Sequence, residues 1–247
     1  MLRFILFIAL IIATTTSLAA EKSKILLGQY VRDGGSGSLT VRKGKQNRLV
    51  FEIFSIGSNC HSCEVSGVIS GNVGHADNGP DSKCQISFSA SHPVLSIKPT
   101  TEEECRNFCG ARAGFDGTYR MPPSACTFGG RKAQKDQFIH LYRARRFDQA
   151  SDALQNLIAK CRSFMSWIEI DQIRNDLALA QYHNREPQQC LATLNDTLAA
   201  KVKDEEELMY GNGDVFLPPC DFDNYIEVAK STWFNKALCT KATSNGR

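Results

Sequence analysis

The chain has 247 residues, enough for two ordinary domains, with 29 basic and 26 acidic side chains and a formal net charge of +3. That balance gives no electrostatic footprint for nucleic acid or an anionic membrane surface, and 42% hydrophobic residues is ordinary for a globular protein. Ten cysteines are the compositional outlier.

The first residues, Met1-Leu2-Arg3, carry one positive charge; an apolar run from Phe4 to Ala13 follows, then Thr14-Thr15-Thr16-Ser17-Leu18-Ala19-Ala20. Charge, apolar centre and small-residue exit are the parts of a secretory signal, so 1–20 is predicted to be a signal peptide cut near Ala19 or Ala20. The apolar run falls short of the roughly 20 residues that span a bilayer, no Cys sits at the cut for lipid attachment, and no later run is long enough to cross. The predicted location is periplasmic or secreted. Cys60, Cys63, Cys84, Cys105, Cys109, Cys126, Cys161, Cys190, Cys220 and Cys239 all lie beyond the signal. An even number of cysteines in an oxidising compartment reads as disulfides. Six precede residue 130 and four follow it, as two separately stapled domains require.

From Gly28 to Pro99 the pattern alternates. Leu39 and Val41 share a face, as do Leu49, Phe51 and Ile53, then Cys63, Val65, Gly67 and Ile69, then Cys84, Ile86, Phe88 and Ala90. Period two with a polar opposite face marks half-buried antiparallel strands. Asp33-Gly34-Gly35, Lys43-Gly44-Lys45 and the stretch 71–81 punctuate them as turns. Five or six strands are predicted, in a meander that closes into a small barrel or a strongly twisted sheet, within a β-rich domain over 22–128. A short helix capped by Thr100 or Thr101 should follow, with Glu102, Glu103 and Glu104 at its positive end and Gly110 as its stop. Cys105 and Cys109 on it are too close on one face to bridge each other. The six cysteines of this half allow 15 pairings, and none is chosen.

Gly110 to Tyr119, with Gly110 and Gly117 suited to left-handed turns, is the most distinctive segment. In one reading Phe115 and Tyr119 pack under the sheet and Arg112 pairs with Asp116. In the other, Arg112, Tyr119 and Arg120 line a contact surface, because Tyr and Arg anchor interfaces. The candidate binding residues are therefore Arg112, Phe115, Asp116, Tyr119 and Arg120. The strands, then Cys109-Gly110, then Phe115-Asp116-Gly117-x-Tyr119 resemble the small exported β domain of periplasmic lysozyme inhibitors. That resemblance implies a β barrel that inserts a loop into a hydrolase cleft.

After Gly129-Gly130 the apolar period becomes helical. Phe138, Leu141 and Tyr142 mark one helix, and Ala150, Leu154, Leu157, Ile158 and Cys161 a second. Phe164, Trp167, Ile168, Ile173, Leu177 and Ala180 mark a third; Cys190, Leu191, Leu194 and Leu198 a fourth; Ile226, Ala229, Trp233 and Ala237 the last. At an offset of 40, Tyr142 matches Tyr182, Arg145 matches Arg185, Gln149 matches Gln189, Ala150 corresponds to Cys190 and Leu154 matches Leu194. Phe138 to Leu154 resembles a tetratricopeptide repeat, which implies stacked helical hairpins. The helical domain is predicted over 131–240, bridged Cys161–Cys190 and Cys220–Cys239, with a flexible tail at 241–247. Lys203 to Pro219 reads as an exposed connecting loop.

No constellation for catalysis stands out. Cys60-His61-Ser62-Cys63 has the spacing of a thiol-exchange pair, but strands surround it where such pairs open a helix. Cys60, Cys63, His75 and Cys84 match zinc by ligand type, against which stands the oxidising compartment. No GxSxG elbow and no HExxH pattern occurs. The reading is an α+β protein, an antiparallel barrel or twisted sheet followed by an all-helical domain, both disulfide-stapled. It is not an enzyme and needs no cofactor and no metal. It binds another envelope or extracellular protein, a cell-wall hydrolase such as lysozyme among the candidates. The alternatives are a thiol oxidoreductase or hydrolase, and a structural envelope component.

Overall fold

A computed structural model describes residues 24–77, 82–211 and 215–245. The predicted signal, 1–20, lies outside the described residues. Among those described, eight strands form a closed antiparallel barrel in simple sequential order. They are β1 (Gly28–Arg32), β2 (Gly37–Lys43), β3 (Leu49–Ile56), β4 (Ser62–Ser70), β5 (Val73–Ala76), β6 (Gln85–Ser91), β7 (Val94–Pro99) and, after the helix α1 (Glu102–Arg106), β8 (Gly117–Arg120). Arg120 of β8 pairs with Val31 of β1 on one side and Val94 of β7 on the other, and so shuts the barrel. The count exceeds the predicted five or six because β5 and β8 have only four residues each, too few to show a period.

The alternating residues fill the interior. Tyr30, Leu39, Phe51, Ile86, Phe88, Leu95, Ile97 and Tyr119 are all but inaccessible. Phe51 and Phe88 meet edge to face with ring centroids 5.2 Å apart. Gly74 makes room for that pair, since a Cβ there would lie 2.6 Å from the Phe88 ring. Thr101 does not cap α1. Its hydroxyl accepts from the Gln85 amide at 2.8 Å and donates to the Lys83 carbonyl at 3.0 Å, holding the helix against β6. The helix ends at Arg106, so Cys109 lies beyond it.

The helices that follow are α2 (Phe128–Arg143), α3 (Phe147–Cys161), α4 (Trp167–His183), α5 (Pro187–Asn195), α6 (Glu205–Tyr210) and α7 (Pro219–Asn245). The 40-residue repeat has a backbone cause. Arg145 and Arg185 both take left-handed φ, 59° and 64°, just past the ends of α2 and α4. In each copy that residue's amide bonds the Tyr carbonyl, Tyr142 or Tyr182, and the next amide reaches five residues back, Arg146 to Leu141 and Glu186 to Gln181. This is the helix stop in which a left-handed residue satisfies the last free carbonyls and turns the chain back. Tyr142, Phe147 and His183 then cluster between the two hairpins, with Phe147 stacked on His183 at 5.0 Å.

Two sequence expectations change here. The segment 203–219 is not simply an exposed connector, because it contains α6 and buries Leu208, Val215 and Leu217 against α7. The tail expected at 241–247 is helical as far as Asn245.

The five bridges are Cys60–Cys220, Cys63–Cys109, Cys84–Cys105, Cys126–Cys161 and Cys190–Cys239. Neither expected bridge of the helical half forms. Cys220 and Cys239 occupy one helix 19 positions apart, about 28 Å at 1.5 Å per residue, far beyond bridging reach. Cys161 ends α3, which packs on α2 and α4, whereas Cys190 on α5 faces α7. The halves are not separately stapled either. Cys60–Cys220 ties barrel to helices, and Cys126–Cys161 ties the segment leaving the barrel to α3; two crossing bridges leave each half with an even count. Five bridges and no free cysteine fit an oxidising, non-cytoplasmic compartment. Among the described residues no helix is long and apolar enough to cross a membrane.

Candidate binding site

The helical half docks on one end of the barrel at two points. At the first, the turn between β1 and β2 meets the segment between α3 and α4: the Gly34 amide donates to the Ser163 carbonyl at 3.0 Å. Gly35, at φ 68°, lies so close that a Cβ would stand 2.3 Å from the Met165 carbonyl carbon. At the second, the turn between β3 and β4 meets the start of α7. The Asp221 carboxylate accepts from the Asn59 amide at 2.8 Å, Asn59 Oδ1 accepts from the Cys220 amide at 3.0 Å, and the Cys60–Cys220 bridge closes the joint.

Between these two seams lies a cleft of about 1110 Å³. The barrel contributes Ser36, Ile56 and Ser58, α4 contributes Trp167 and Arg174, the segment between α3 and α4 Arg162, and the segment before α7 Phe216. Three large apolar side chains stay exposed here, Ile56 at 46%, Trp167 at 41% and Phe216 at 62%. Apolar walls with a few fixed polar groups are the usual make-up of a ligand cleft.

The acids in the wall are already engaged. Asp171, on α4, is buried; one oxygen takes the Leu198 amide and the Tyr225 hydroxyl, each at 2.8 Å, and the other takes Arg174 Nη1 at 3.0 Å. Burial, and then the Asp171 charge, push the Tyr225 phenol far above its ordinary value, so it stays a donor. The Tyr225 ring in turn supports Trp167, with centroids 4.7 Å apart. Arg174 is anchored further by the Asp196 carbonyl at 2.9 Å. Behind the cleft, Asn175 donates to Thr232 Oγ1 at 2.9 Å and accepts from Asn235 at 3.0 Å, locking α4 to α7. The wall is therefore rigid, as preorganised binding requires.

No known protein family, curated protein or solved structure matches this chain.

The residues singled out from sequence lie elsewhere. Phe115 and Tyr119 are buried in the barrel core, where the Tyr119 hydroxyl donates to the Phe115 carbonyl at 2.8 Å. Burial raises the Tyr119 phenol far above its ordinary value. Asp116 faces Arg32 at 4.0 Å rather than Arg112, and Arg32 also donates to the Gly114 carbonyl at 2.9 Å. Arg120 pairs with Asp33 at 2.7 Å beside the β1–β2 turn, and Arg112 is exposed. Phe115 and Tyr119 thus pack in the core, while the expected Arg112–Asp116 pair is replaced by Arg32–Asp116. Cys60 and Cys63 are not bonded to each other, so the thiol-pair reading of that motif has no pair. The zinc alternative loses its thiolates, because Cys60, Cys63 and Cys84 each bond a different cysteine.

Sequence reasoning placed Trp167 on an apolar helix stripe and missed the cleft, Asp171 and Phe216. The one local signal was an Asp three residues before an Arg on an otherwise apolar face, and that pattern is common on helices.

Proposed function

We propose that this chain is a periplasmic or secreted binding protein that takes an extended segment of another envelope or extracellular protein into the cleft between barrel and helices. The observation that supports it is the convergence of Ile56, Trp167 and Phe216, exposed, on a concavity whose wall is fixed by the Asp171–Tyr225–Arg174 bonds. An exposed Trp held at its base by another ring is a typical interface anchor. Cell-wall hydrolases, lysozyme among them, are the first partners to test, and the contact they would make is the cleft, since the 110–119 loop turns its aromatic residues inward.

The experiment compares the wild type with a Trp167→Ala/Phe216→Ala double variant, both immobilised and exposed to envelope extract, and in solution against lysozyme at equimolar ratio. Both side chains are substantially exposed, so the variant should keep the wild-type circular dichroism. A protein retained by the wild type and lost by the variant, with any lysozyme inhibition lost in parallel, supports the reading. Equal behaviour of the two proteins overturns it.

A further inference from the structure

The Cys60–Cys220 bridge differs from the other four in access and surroundings. At least one cysteine of every other bridge is fully enclosed: Cys63, Cys84, Cys105, Cys126, Cys161, Cys190 and Cys239 are all buried, and the half-exposed Cys109 pairs with the inaccessible Cys63. Cys60 and Cys220 are both half-exposed, and Cys60 lines the cleft.

The local backbone also sets Cys60 apart. Ser58 to His61 is a turn with two consecutive left-handed residues, Asn59 at φ 58° and Cys60 at φ 56°, closed by the His61 amide on the Ser58 carbonyl. In a two-residue hairpin turn of that hand the second central position favours glycine. A cysteine stands there against local preference.

The two sulfurs are not equivalent. Cys220 is the second residue of α7, a 27-residue helix, where the positive end of the helix stabilises a thiolate. Asn224, one turn on, aims its side-chain amide at Cys60 Sγ at 3.2 Å and at Cys220 Sγ at 3.6 Å. The neighbouring Asp221 carboxylate, which would oppose a thiolate, is engaged by the Asn59 amide.

We propose that Cys60–Cys220 is an exchangeable bridge, open to a low-molecular-weight thiol or a protein dithiol that enters through the cleft and attacks Cys60. The incoming thiolate forms a bond to Cys60 Sγ as the Cys60–Cys220 bond breaks, and Cys220 departs as a thiolate at the start of α7. A second thiol, the other sulfur of the dithiol or another molecule of the low-molecular-weight thiol, then attacks the reductant's sulfur in the mixed disulfide. This releases Cys60 and leaves the reductant oxidised to its own disulfide, while both cysteine thiolates take protons from water. Beyond the chain itself, this bridge is the covalent tie between the β3–β4 turn and α7, so exchange leaves that joint to non-covalent contacts, the Asn59 hydrogen bonds among them.

The test holds the folded protein in increasing reduced glutathione, quenches with an alkylating agent and maps every cysteine by mass spectrometry. Cys60–Cys220 should open at least about tenfold faster than any other bridge, with glutathione on Cys60 and the alkyl group on Cys220. Hydrogen exchange should rise at 57–61 and at the start of α7, with the barrel and the other helices still protected. A Cys60→Gly/Cys220→Ser variant keeps the turn's preferred residue type and should show that same exchange pattern without reductant. Opening of Cys63–Cys109 first, opening of all five bridges together, or glutathione on Cys220 would each overturn the assignment.

Discussion

Replacing Asp171 with alanine removes the acceptor of three hydrogen bonds in one step. The Leu198 amide and the Tyr225 hydroxyl lose partners at 2.8 Å, and Arg174 loses one at 3.0 Å. Arg174 keeps the Asp196 carbonyl and reaches solvent, so its share is small. Tyr225 is fully buried and has no water to turn to. A buried donor left without an acceptor costs about 1–3 kcal/mol, so the two donors together put the loss at about 2–6 kcal/mol. The control is Asp196→Ala, whose carboxylate is exposed and 3.5 Å from Arg174, with an expected loss below about 1 kcal/mol. Urea unfolding with all bridges intact gives the comparison: the midpoint for Asp171→Ala should fall well below that for Asp196→Ala at an unchanged slope. Equal midpoints would refute the view that Asp171 organises the cleft wall.

Glu169 yields a pH signature. Burial alone would raise its carboxyl, but hydrogen bonds from Lys135 and Arg131 outweigh that and hold it below its ordinary 4.5. A depressed carboxylate adds stability above its unfolded value and loses it as pH falls through its folded value. The stability gap between wild type and Glu169→Gln should therefore stay flat, at about 1–3 kcal/mol, above pH 4.5 and shrink below it; a gap that widens in acid would contradict the pairing. The β1–β2 turn separates two causes of glycine preference. Gly34→Ala meets nothing within 4 Å and should cost only the left-handed backbone, about 1–2 kcal/mol, whereas Gly35→Ala also drives a Cβ into the Met165 backbone and should cost clearly more by thermal unfolding.

Much of the fold was legible because it rests on local periods. Leu39/Val41, Leu49/Phe51/Ile53, Cys63/Val65/Ile69 and Cys84/Ile86/Phe88 turn inward together, as the alternation required, and the α3 stripe from Ala150 to Cys161 is buried as its spacing implied. Barrel closure by β8 was not legible, since Gly-Thr-Tyr-Arg carries no alternating run. Bridge partners were beyond reach for a different reason. Cys60 and Cys220 are 160 residues apart, and only the docking of one half on the other brings them together. The same holds for the cleft: Ile56, Trp167 and Phe216 belong to three separate local patterns, each of which reads as ordinary apolar content.

That 160-residue separation has a consequence for biogenesis. As an oxidising chain folds, Cys63 can meet Cys109 across 46 residues, whereas Cys60 and Cys220 must meet across 160. Cys60 stands three positions from Cys63, so a folding molecule is exposed to a Cys60–Cys109 mispairing that strands Cys63. Oxidative refolding of the fully reduced chain should then gain more from a disulfide isomerase than from added oxidant.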